Sequence, residues 1–404
     1  MDNAIDFTNC RRAHVSFGGS DRKFGVIYND DVYMLKFSDH HAKRHDISTS
    51  YVNNAISEYI SSHISASIGL PTHETVLGTY NDYIVVGCKD FRSSPGTANI
   101  EFSEYVRAKY DSKDIGRLIR LNMIYDTLKE PTNDIPVSLQ KATIERFWDT
   151  FVVDAFVGNF DRHIGNWGYL SDNNTLRLAP VYDYGSTLLP QLSDIGMSEI
   201  QSSECKMLER CLVFPSPALA ITDEKVGKIG YYDMMSSNYD KHCTDAVLRI
   251  VPRIDMEKIC RIVDDTPMIS DVRKEFYKSF LSMRKDIILD RAYLRCLYQD
   301  FDRDAMARLQ TGHQFSNKDL DLFLAERSMA LRQYLQNEET LKTASAASYI
   351  LKPATSSRPP RSREQIISEQ REFAERYGLH SKFVWEKANA HIQDAPKHTL
   401  DIDR

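Results

Sequence analysis

The most informative part of this sequence reads GNFDRHIGNWGYL over residues 158–170 and LRLAPVYDYGST over residues 176–187. Asp161 and Asn166 are five positions apart, and Asp183 lies 17 positions further on, inside an Asp-Tyr-Gly. Phosphoryl transfer from a nucleoside triphosphate requires an acidic group that orients or deprotonates the acceptor hydroxyl, and hard oxygen ligands that hold Mg²⁺ against the phosphates. We therefore predict Asp161 as the proton acceptor and Asn166 and Asp183 as metal ligands.

The spacing of these residues matches a known catalytic pattern. Protein kinases assign the same tasks to the Asp and Asn of D-x-x-x-x-N and to the Asp of Asp-Phe-Gly. Each signal has an ordinary alternative, because Asp and Asn are common in turns and an Asp-Tyr-Gly can close a hairpin. The order of the motifs favours catalysis, since both follow a predicted sheet lobe that carries its own candidates for phosphate binding.

Those candidates lie in SFGGSDRKFGVIYNDDVYMLKF, residues 16–37. Gly18, Gly19 and Gly25 bracket a polar turn between two predicted strands, where backbone N–H groups can face a phosphate. Lys36 stands on an apolar strand and needs an anion, either a phosphate or a carboxylate; the alternative is an edge-strand lysine that reaches solvent. Glu58 is a candidate partner for Lys36 and equally a candidate for a solvent-facing helix residue.

Hydrophobic periodicity predicts an α+β chain with two lobes. One amphipathic helix carries apolar residues every four positions and ends before Gly69 and Pro71. Short predicted strands surround it: HVSF (14–17), KFGVIYN (23–29), DVYMLKF (31–37), TVLGTY (75–80) and DYIVVGCKDF (82–91). We predict an N-lobe over residues 1–91, a helical C-lobe over 92–337, a linker over 338–362 and a helical or disordered tail over 363–404.

Composition excludes several classes of protein. The 404 residues carry 51 Lys and Arg against 57 Asp and Glu, a net charge of −6, which does not favour direct nucleic-acid binding. The sequence contains no apolar run of membrane-spanning length and no secretory leader, so we expect a cytoplasmic protein, with secretion as an effector left open.

The seven scattered cysteines predict reduced thiols. Two metal sites are minor alternatives: DHHAKRHD (39–46), and the set Cys205, Cys211, His242 and Cys243.

Five elements in the same order resemble the HipA-like serine/threonine kinases of bacterial toxin–antitoxin systems. They are the string G-N-x-D-x-H-x-x-N from Gly158 with the later Tyr182-Asp183, the loop VSFGGSDRKFGVI, YMLKF, the EYI…GLP of the helix, and VVGCKDF. The resemblance implies a bilobal, HipA-type protein-kinase-like fold over about residues 12–335. It also implies ATP and Mg²⁺ as cofactors and a protein substrate phosphorylated on Ser or Thr.

The resemblance also implies roles for individual residues. Asp161 is the proton acceptor, and Asn166 and Asp183 bind the metal. The implied nucleotide contacts are Gly18, Gly19, Ser20, Asp21, Arg22 and Lys23 at the triphosphate, Lys36 at phosphate, Val86, Gly87 and Cys88 at adenine through backbone groups, and His163 and Tyr182 beside the metal. Ser16 matches a serine that is autophosphorylated in this family, and Ser20 is a second candidate. A phosphate there repels the incoming γ-phosphate and silences the enzyme.

The chain resembles the short form of this family, in which the N-terminal subdomain is absent or supplied by a separate protein. We therefore expect a toxin or effector kinase whose partners are a protein substrate and an antitoxin or subdomain protein, with no membrane partner. Two other functions stay open: a non-catalytic nucleotide-binding interaction module, and a lipid or small-molecule kinase. The acceptor depends on surfaces that these motifs do not describe.

Overall fold

The computed structural model describes residues 4–15, 23–38, 53–92, 96–111, 119–130, 134–172, 175–221, 229–311, 315–316 and 320. The chain divides into two units, Met1–Phe315 and Ser316–Arg404. The predicted linker and tail lie outside the described residues, and the predicted domain limits at residues 91 and 337 stay predictions.

The N-terminal part of the first unit is built on a six-stranded sheet. Its strands are β1 (Ile5–Asp6), β2 (Arg11–Ala13), β3 (Lys23–Tyr28), β4 (Asp31–Phe37), β5 (Thr75–Tyr80) and β6 (Tyr83–Lys89), in the order β1-β5-β6-β4-β3-β2. The four long predicted strands are confirmed. The HVSF strand is wrong where it is described, because the chain pairs earlier, through Arg11–Ala13, and leaves the sheet before His14.

A core of six buried side chains packs within this sheet lobe: Phe7, Val26, Tyr33, Leu35, Phe37 and Val85. Gly87 on β6 lies close to this core, since a Cβ there would meet the Phe7 ring and Val76 at 3.1 Å. Packing against Phe7 thus explains this glycine without any role for a ligand.

Helix α1 (Asn54–Ile68) packs on the sheet and has two buried sides. The predicted apolar stripe is confirmed, as Ile56, Ile60, Ile64 and Ile68 are all buried. Residues of a second stripe, Ser57, Glu58, Ser61 and Ser65, are also buried. That second stripe faces a segment of the C-lobe, because Ser61 hydrogen-bonds Thr187 at 2.7 Å and the Tyr184 hydroxyl donates to Ser65 at 2.8 Å.

Helices form most of the remaining first unit. They are α2 (Phe102–Lys109), α3 (Leu121–Leu128), α4 (Val137–Val157), α5 (Asp194–Gln201), α6 (Glu204–Leu212), α7 (Tyr231–Ser236), α8 (Lys241–Ile250), α9 (Met256–Asp265), α10 (Asp271–Arg284), α11 (Arg291–Tyr298) and α12 (Arg303–Thr311). A π-helical segment, Lys285–Asp290, joins α10 to α11. Apolar residues at helical spacing over 105–128 and over 319–335 also predict helices. The first stretch holds most of α2 and all of α3, and the second lies outside the described residues apart from residue 320.

Two small sheets complete this lobe. Strands β7 (Ala98–Glu101), β9 (Gly168–Asp172) and β10 (Thr175–Leu178) form one in the order β10-β9-β7, while β8 (Ile119–Arg120) pairs with β11 (Leu219–Ala220). The lobes meet where Val181 donates to the Pro71 carbonyl at 2.8 Å and accepts from the His73 amide at 3.1 Å. None of the helices in the described ranges is long and apolar enough to cross a bilayer.

Candidate active site

The loop that carries Asp161 begins where α4 stops. Gly158 ends the helix with φ +69°, a left-handed conformation that glycine adopts without strain. A Cβ at this position would also lie 3.1 Å from Phe280 and Pro215. Both the backbone conformation and the packing therefore favour glycine here, where the chain turns into the loop that leads to β9.

Hydrogen bonds inside the loop hold Asp161 and Asn166 together. The Asn159 side-chain oxygen accepts from the Asp161 amide at 3.0 Å, and the Asn166 side-chain nitrogen donates to the Asp161 carbonyl at 3.0 Å. Because its nitrogen is used in this way, Asn166 has its amide oxygen left for a cation. Within the described residues that oxygen accepts no hydrogen bond, although Asn166 is buried.

Arg162 connects this loop to the segment that carries Asp183. Its guanidinium donates to Asp154 through Nε at 2.8 Å and Nη2 at 3.1 Å, and through Nη1 to the carbonyls of Asn166 and Tyr182. The Arg162 side chain is buried, and Asp154 also accepts from Asn159. This Asp154–Arg162 pair therefore positions both motif segments at once. Our sequence reasoning missed it, although an arginine directly after the predicted proton acceptor was a visible signal.

Asp183 is held in a backbone conformation that few residues adopt. Its φ is +66°, a left-handed value that Asp and Asn tolerate better than most residues. One carboxylate oxygen accepts from Lys36 at 2.9 Å, and the amide of the next residue, Tyr184, donates to Glu58 at 3.0 Å. The side chain is 41% exposed, so its other oxygen can be approached from solvent.

Glu58 pairs with Lys36 at 2.9 Å, which answers the question that its helix position left open. The Glu58 side chain is 1% exposed and also lies 3.0 Å from His73 Nε2. Burial opposes its ionised form, but Lys36, His73 and the Tyr184 amide bring the pKa of Glu58 well below its usual range. Burial likewise disfavours the Lys36 ammonium, yet Asp183 and Glu58 outweigh it and raise the Lys36 pKa. Both groups are therefore charged at neutral pH.

The structure gives no support to a zinc site among the cysteines. Glu58, His73 and Cys88 form the only group of three metal-binding side chains among the described residues, with ligand atoms within 4.8 Å of one another. Lys36 already supplies the cation there, and burial raises the pKa of the Cys88 thiol far above its usual value. No such group includes the second predicted set, which is Cys205, Cys211, His242 and Cys243, among the described residues. The first predicted set, in residues 39–46, lies outside the described ranges.

His163 and Tyr182 brace the site. The ring of the exposed His163 accepts from the Gly165 amide at 3.1 Å through Nδ1, and the Tyr182 hydroxyl donates to the Gly165 carbonyl at 3.2 Å. The Tyr182 ring stacks on Phe91 with centroids 5.5 Å apart. Burial raises the pKa of Tyr182 to about 12, so the hydroxyl keeps its proton at neutral pH.

The predicted adenine contact through backbone groups at Val86, Gly87 and Cys88 needs correction. All three lie on β6, between β4 and β5, and pair with residues on both neighbouring strands. A strand paired on both sides has no backbone donors or acceptors left for a base. The backbone groups of these three residues are therefore engaged within the sheet.

The predicted triphosphate loop is only partly described. Ser16, Gly18, Gly19, Ser20, Asp21 and Arg22 lie outside the described residues. Lys23 opens β3 directly opposite Lys36 on β4. Directly opposed residues on antiparallel strands share one face of the sheet. Two lysines thus stand on the same face at the point where the loop enters the sheet.

Comparison with known proteins identifies relatives of this chain. The family model described as HipA-like C-terminal domain matches residues 15–227. A Helicobacter pylori protein, Serine/threonine-protein kinase CtkA, is 38% identical over 297 residues, which is 72% of this chain and 89% of that protein. The crystal structure of the H. pylori proinflammatory kinase CtkA has a TM-score of 0.64 and 35% identity, covering 74% of this chain and 100% of that one. HipA of Shewanella oneidensis MR-1, solved with HipB and operator DNA, matches with a TM-score of 0.42 and 15% identity, covering 74% of this chain and 67% of that one.

The two lobes and the Lys36–Glu58–Asp183 bridge between them define an enzyme of the protein-kinase class. The chain belongs to the HipA-like family, so the resemblance read from its motifs is confirmed.

Glu58→Gln tests the bridge between the lobes. The variant keeps the shape of Glu58 but removes its charge, and we expect it to lower the free energy of unfolding by about 3 kcal/mol at pH 7. A carboxylate whose pKa is lowered in the folded state stabilises above its unfolded pKa of about 4.3 and loses that contribution as the pH falls. The difference from wild type, measured by urea unfolding, should therefore hold down to about pH 4 and shrink only as the pH falls below that value.

The exposed Glu199 on α5 offers a matched control. Glu199→Gln should leave the unfolding free energy unchanged across this pH range. If Glu58→Gln is as stable as Glu199→Gln at pH 7, the Glu58–Lys36 pair does not hold the lobes together.

Proposed function

We propose that this protein is an ATP- and Mg²⁺-dependent serine/threonine-protein kinase. The observation that carries the proposal is the placement of Lys36, which lies 2.9 Å from both Glu58 and Asp183. Active protein kinases need their strand lysine paired with a helix glutamate and their Asp-Phe-Gly aspartate in place at the same time. Family membership and the identity with a serine/threonine-protein kinase support the same reaction.

Each motif residue has one task in this proposal. Asp161 accepts the proton of the acceptor hydroxyl, while Lys36, with Lys23 beside it, attracts the phosphates. Asn166 and Asp183 offer an amide and a carboxylate oxygen, the hard ligands that suit Mg²⁺. When bound, that ion neutralises the charge of the phosphates. Arg162 keeps the two ligand segments in register through its bonds to the Asn166 and Tyr182 carbonyls.

The first test is transfer of label from γ-labelled ATP with Mg²⁺. We expect label on the protein itself and on protein acceptors in a cell extract, with phosphoserine or phosphothreonine after acid hydrolysis. Label on lipid or small molecules alone would replace the proposal with the lipid-kinase alternative. ATP binding without transfer to any acceptor would favour the non-catalytic module.

Finer parts of the proposal rest on the family resemblance. We infer autophosphorylation of Ser16 or Ser20 in the nucleotide loop, and a role as a toxin or effector in the cytoplasm, with an antitoxin or a separate N-terminal-subdomain protein as partner. Mass spectrometry of wild-type protein should detect phosphate at one of these serines, and Asp161→Asn should lack it. Phosphate on the same serine in both proteins would mean that another kinase adds it.

A further inference from the structure

A partly open cavity lies between α4 and the segments that carry Arg162 and Val181, with about 600 Å³ of space between its walls, open solvent included. Its lining does not include the residues of the Lys36–Glu58–Asp183 bridge. Helix α4 forms one wall, and the chain from the end of β10 to Val181 forms another. Much of the lining is apolar or aromatic, including Phe147, Phe151, Trp167, Leu178, Pro180 and Leu219. This lining is typical of sites for small organic ligands.

Two polar side chains of α4 line this cavity. Arg146 and Thr150 stand one turn apart on α4, and neither side chain makes a hydrogen bond or ion pair within the described residues. Asp149, about one turn along α4 from Arg146, pairs with Arg249 at 2.6 Å. Burial lowers the pKa of Arg146, and the nearby charge of Asp149 opposes this shift only in part. A half-buried cation in an apolar cavity is the expected recognition group for an anion.

The cavity also touches the machinery of the proposed reaction. Asp154 and Arg162 line it, and this pair holds the carbonyls of Asn166 and Tyr182. Val181 lines it as well, directly before Tyr182 and Asp183. A ligand in the cavity therefore contacts residues that position both metal-binding segments.

We propose that this cavity binds a small organic anion with an aromatic or alicyclic body and that its occupancy changes the rate of phosphoryl transfer. Arg146 takes the anionic group, Thr150 donates a hydrogen bond to it, and the aromatic walls enclose the ring. Ligands of this class share an acidic group on a cyclic apolar frame, and the acid can be a carboxylate, a sulfonate or a phosphate. The binding part of this proposal stands whether or not the proposed kinase reaction is correct.

Two fluorescent probes of nearly equal shape test the binding. 1-Anilinonaphthalene-8-sulfonate carries an acidic group, and N-phenyl-1-naphthylamine is the same frame without it. We expect saturable binding of both to the full chain in the presence of saturating ATP. Arg146→Met should weaken the sulfonate probe about tenfold, the size expected for one lost charged hydrogen bond, and leave the neutral probe unaffected.

Two further variants complete the test. Arg261→Met removes an exposed arginine from α9 and should change neither probe. Ala179→Phe fills the cavity while keeping Arg146 and should abolish binding of both. An unchanged affinity of Arg146→Met for the sulfonate probe, or displacement of that probe from wild type by ATP, would overturn the site.

The regulatory part has its own measurement. Saturating sulfonate probe should change the initial rate of label transfer in wild type and leave the rate of Arg146→Met unchanged at the same concentration. Equal rates with and without probe in wild type would refute the coupling to catalysis, while binding would still stand on the fluorescence titrations.

Discussion

Asp161→Asn is expected to lower the rate of phosphoryl transfer by about 10²–10⁴-fold, the usual contribution of a positioned general base. The amide that replaces the carboxylate cannot accept the proton of the acceptor hydroxyl. The loop should keep its shape, because the bonds from Asn159 and Asn166 use the backbone amide and carbonyl of Asp161, which the substitution leaves in place. The affinity for ATP should therefore change little, while the rate of phosphoryl transfer falls.

Initial rates of label transfer and calorimetric titration with ATP measure these two quantities separately. Asp265 is an exposed aspartate at the end of α9, and Asp265→Asn is a matched change of charge away from the site. We expect wild-type rates from that control. An Asp161→Asn enzyme that retains the wild-type rate would remove Asp161 from the reaction and leave the loop as a structural turn.

Asp183→Asn is expected to lower the rate by about 100-fold, as a metal ion supplies several kcal/mol of charge stabilisation in the transition state. It should also shift half-saturation to higher Mg²⁺ concentration, because an amide oxygen is a weaker ligand than a carboxylate. Folding should be preserved. Asn tolerates the left-handed backbone that Asp183 adopts at φ +66° and still offers an oxygen to Lys36.

The hairpin between β5 and β6 supplies an unusually close control. Asp82 has the same φ of +66°, so Asp82→Asn makes the same chemical change in the same backbone conformation. That variant should keep the wild-type rate and the wild-type Mg²⁺ dependence. A low rate of Asp183→Asn at unchanged Mg²⁺ half-saturation would assign Asp183 to holding Lys36 rather than to binding metal.

Local patterns in the sequence predicted much of the fold and part of the site. The four-residue recurrence from Ile56 to Ile68 identified the side of α1 that lies on the sheet, because apolar spacing follows helix geometry directly. Turn residues between short apolar runs predicted β3, β4, β5 and β6, because strands and turns also depend on residues that are close together in the chain. The spacing of Asp161, Asn166 and Asp183 predicted a site for phosphoryl transfer, because the catalytic groups of protein kinases occur in this order along the chain.

The same kind of reasoning failed at positions where two distant segments meet. Val86, Gly87 and Cys88 were expected to offer backbone groups to adenine, but strand pairing on both sides of β6 uses those groups. Strand order is not visible in a local window, so the sequence did not indicate that β6 is an inner strand. The Asp154–Arg162 pair was missed because Asp154 sits within a helix whose apolar spacing alone suggested core.

The sequence by itself determined the elements, the order of the motifs and the family, because each depends on residues close together in the chain or on a pattern of types. Only the tertiary structure decided that Glu58 faces Lys36 rather than solvent. A helix with one apolar stripe is expected to bury one side, yet α1 buries two, because residues 184–187 of the C-lobe cover its Ser and Glu stripe. The partner of Glu58 along this second side lies 126 positions away at Tyr184. Such a contact follows from how the lobes close on each other, which no local periodicity encodes.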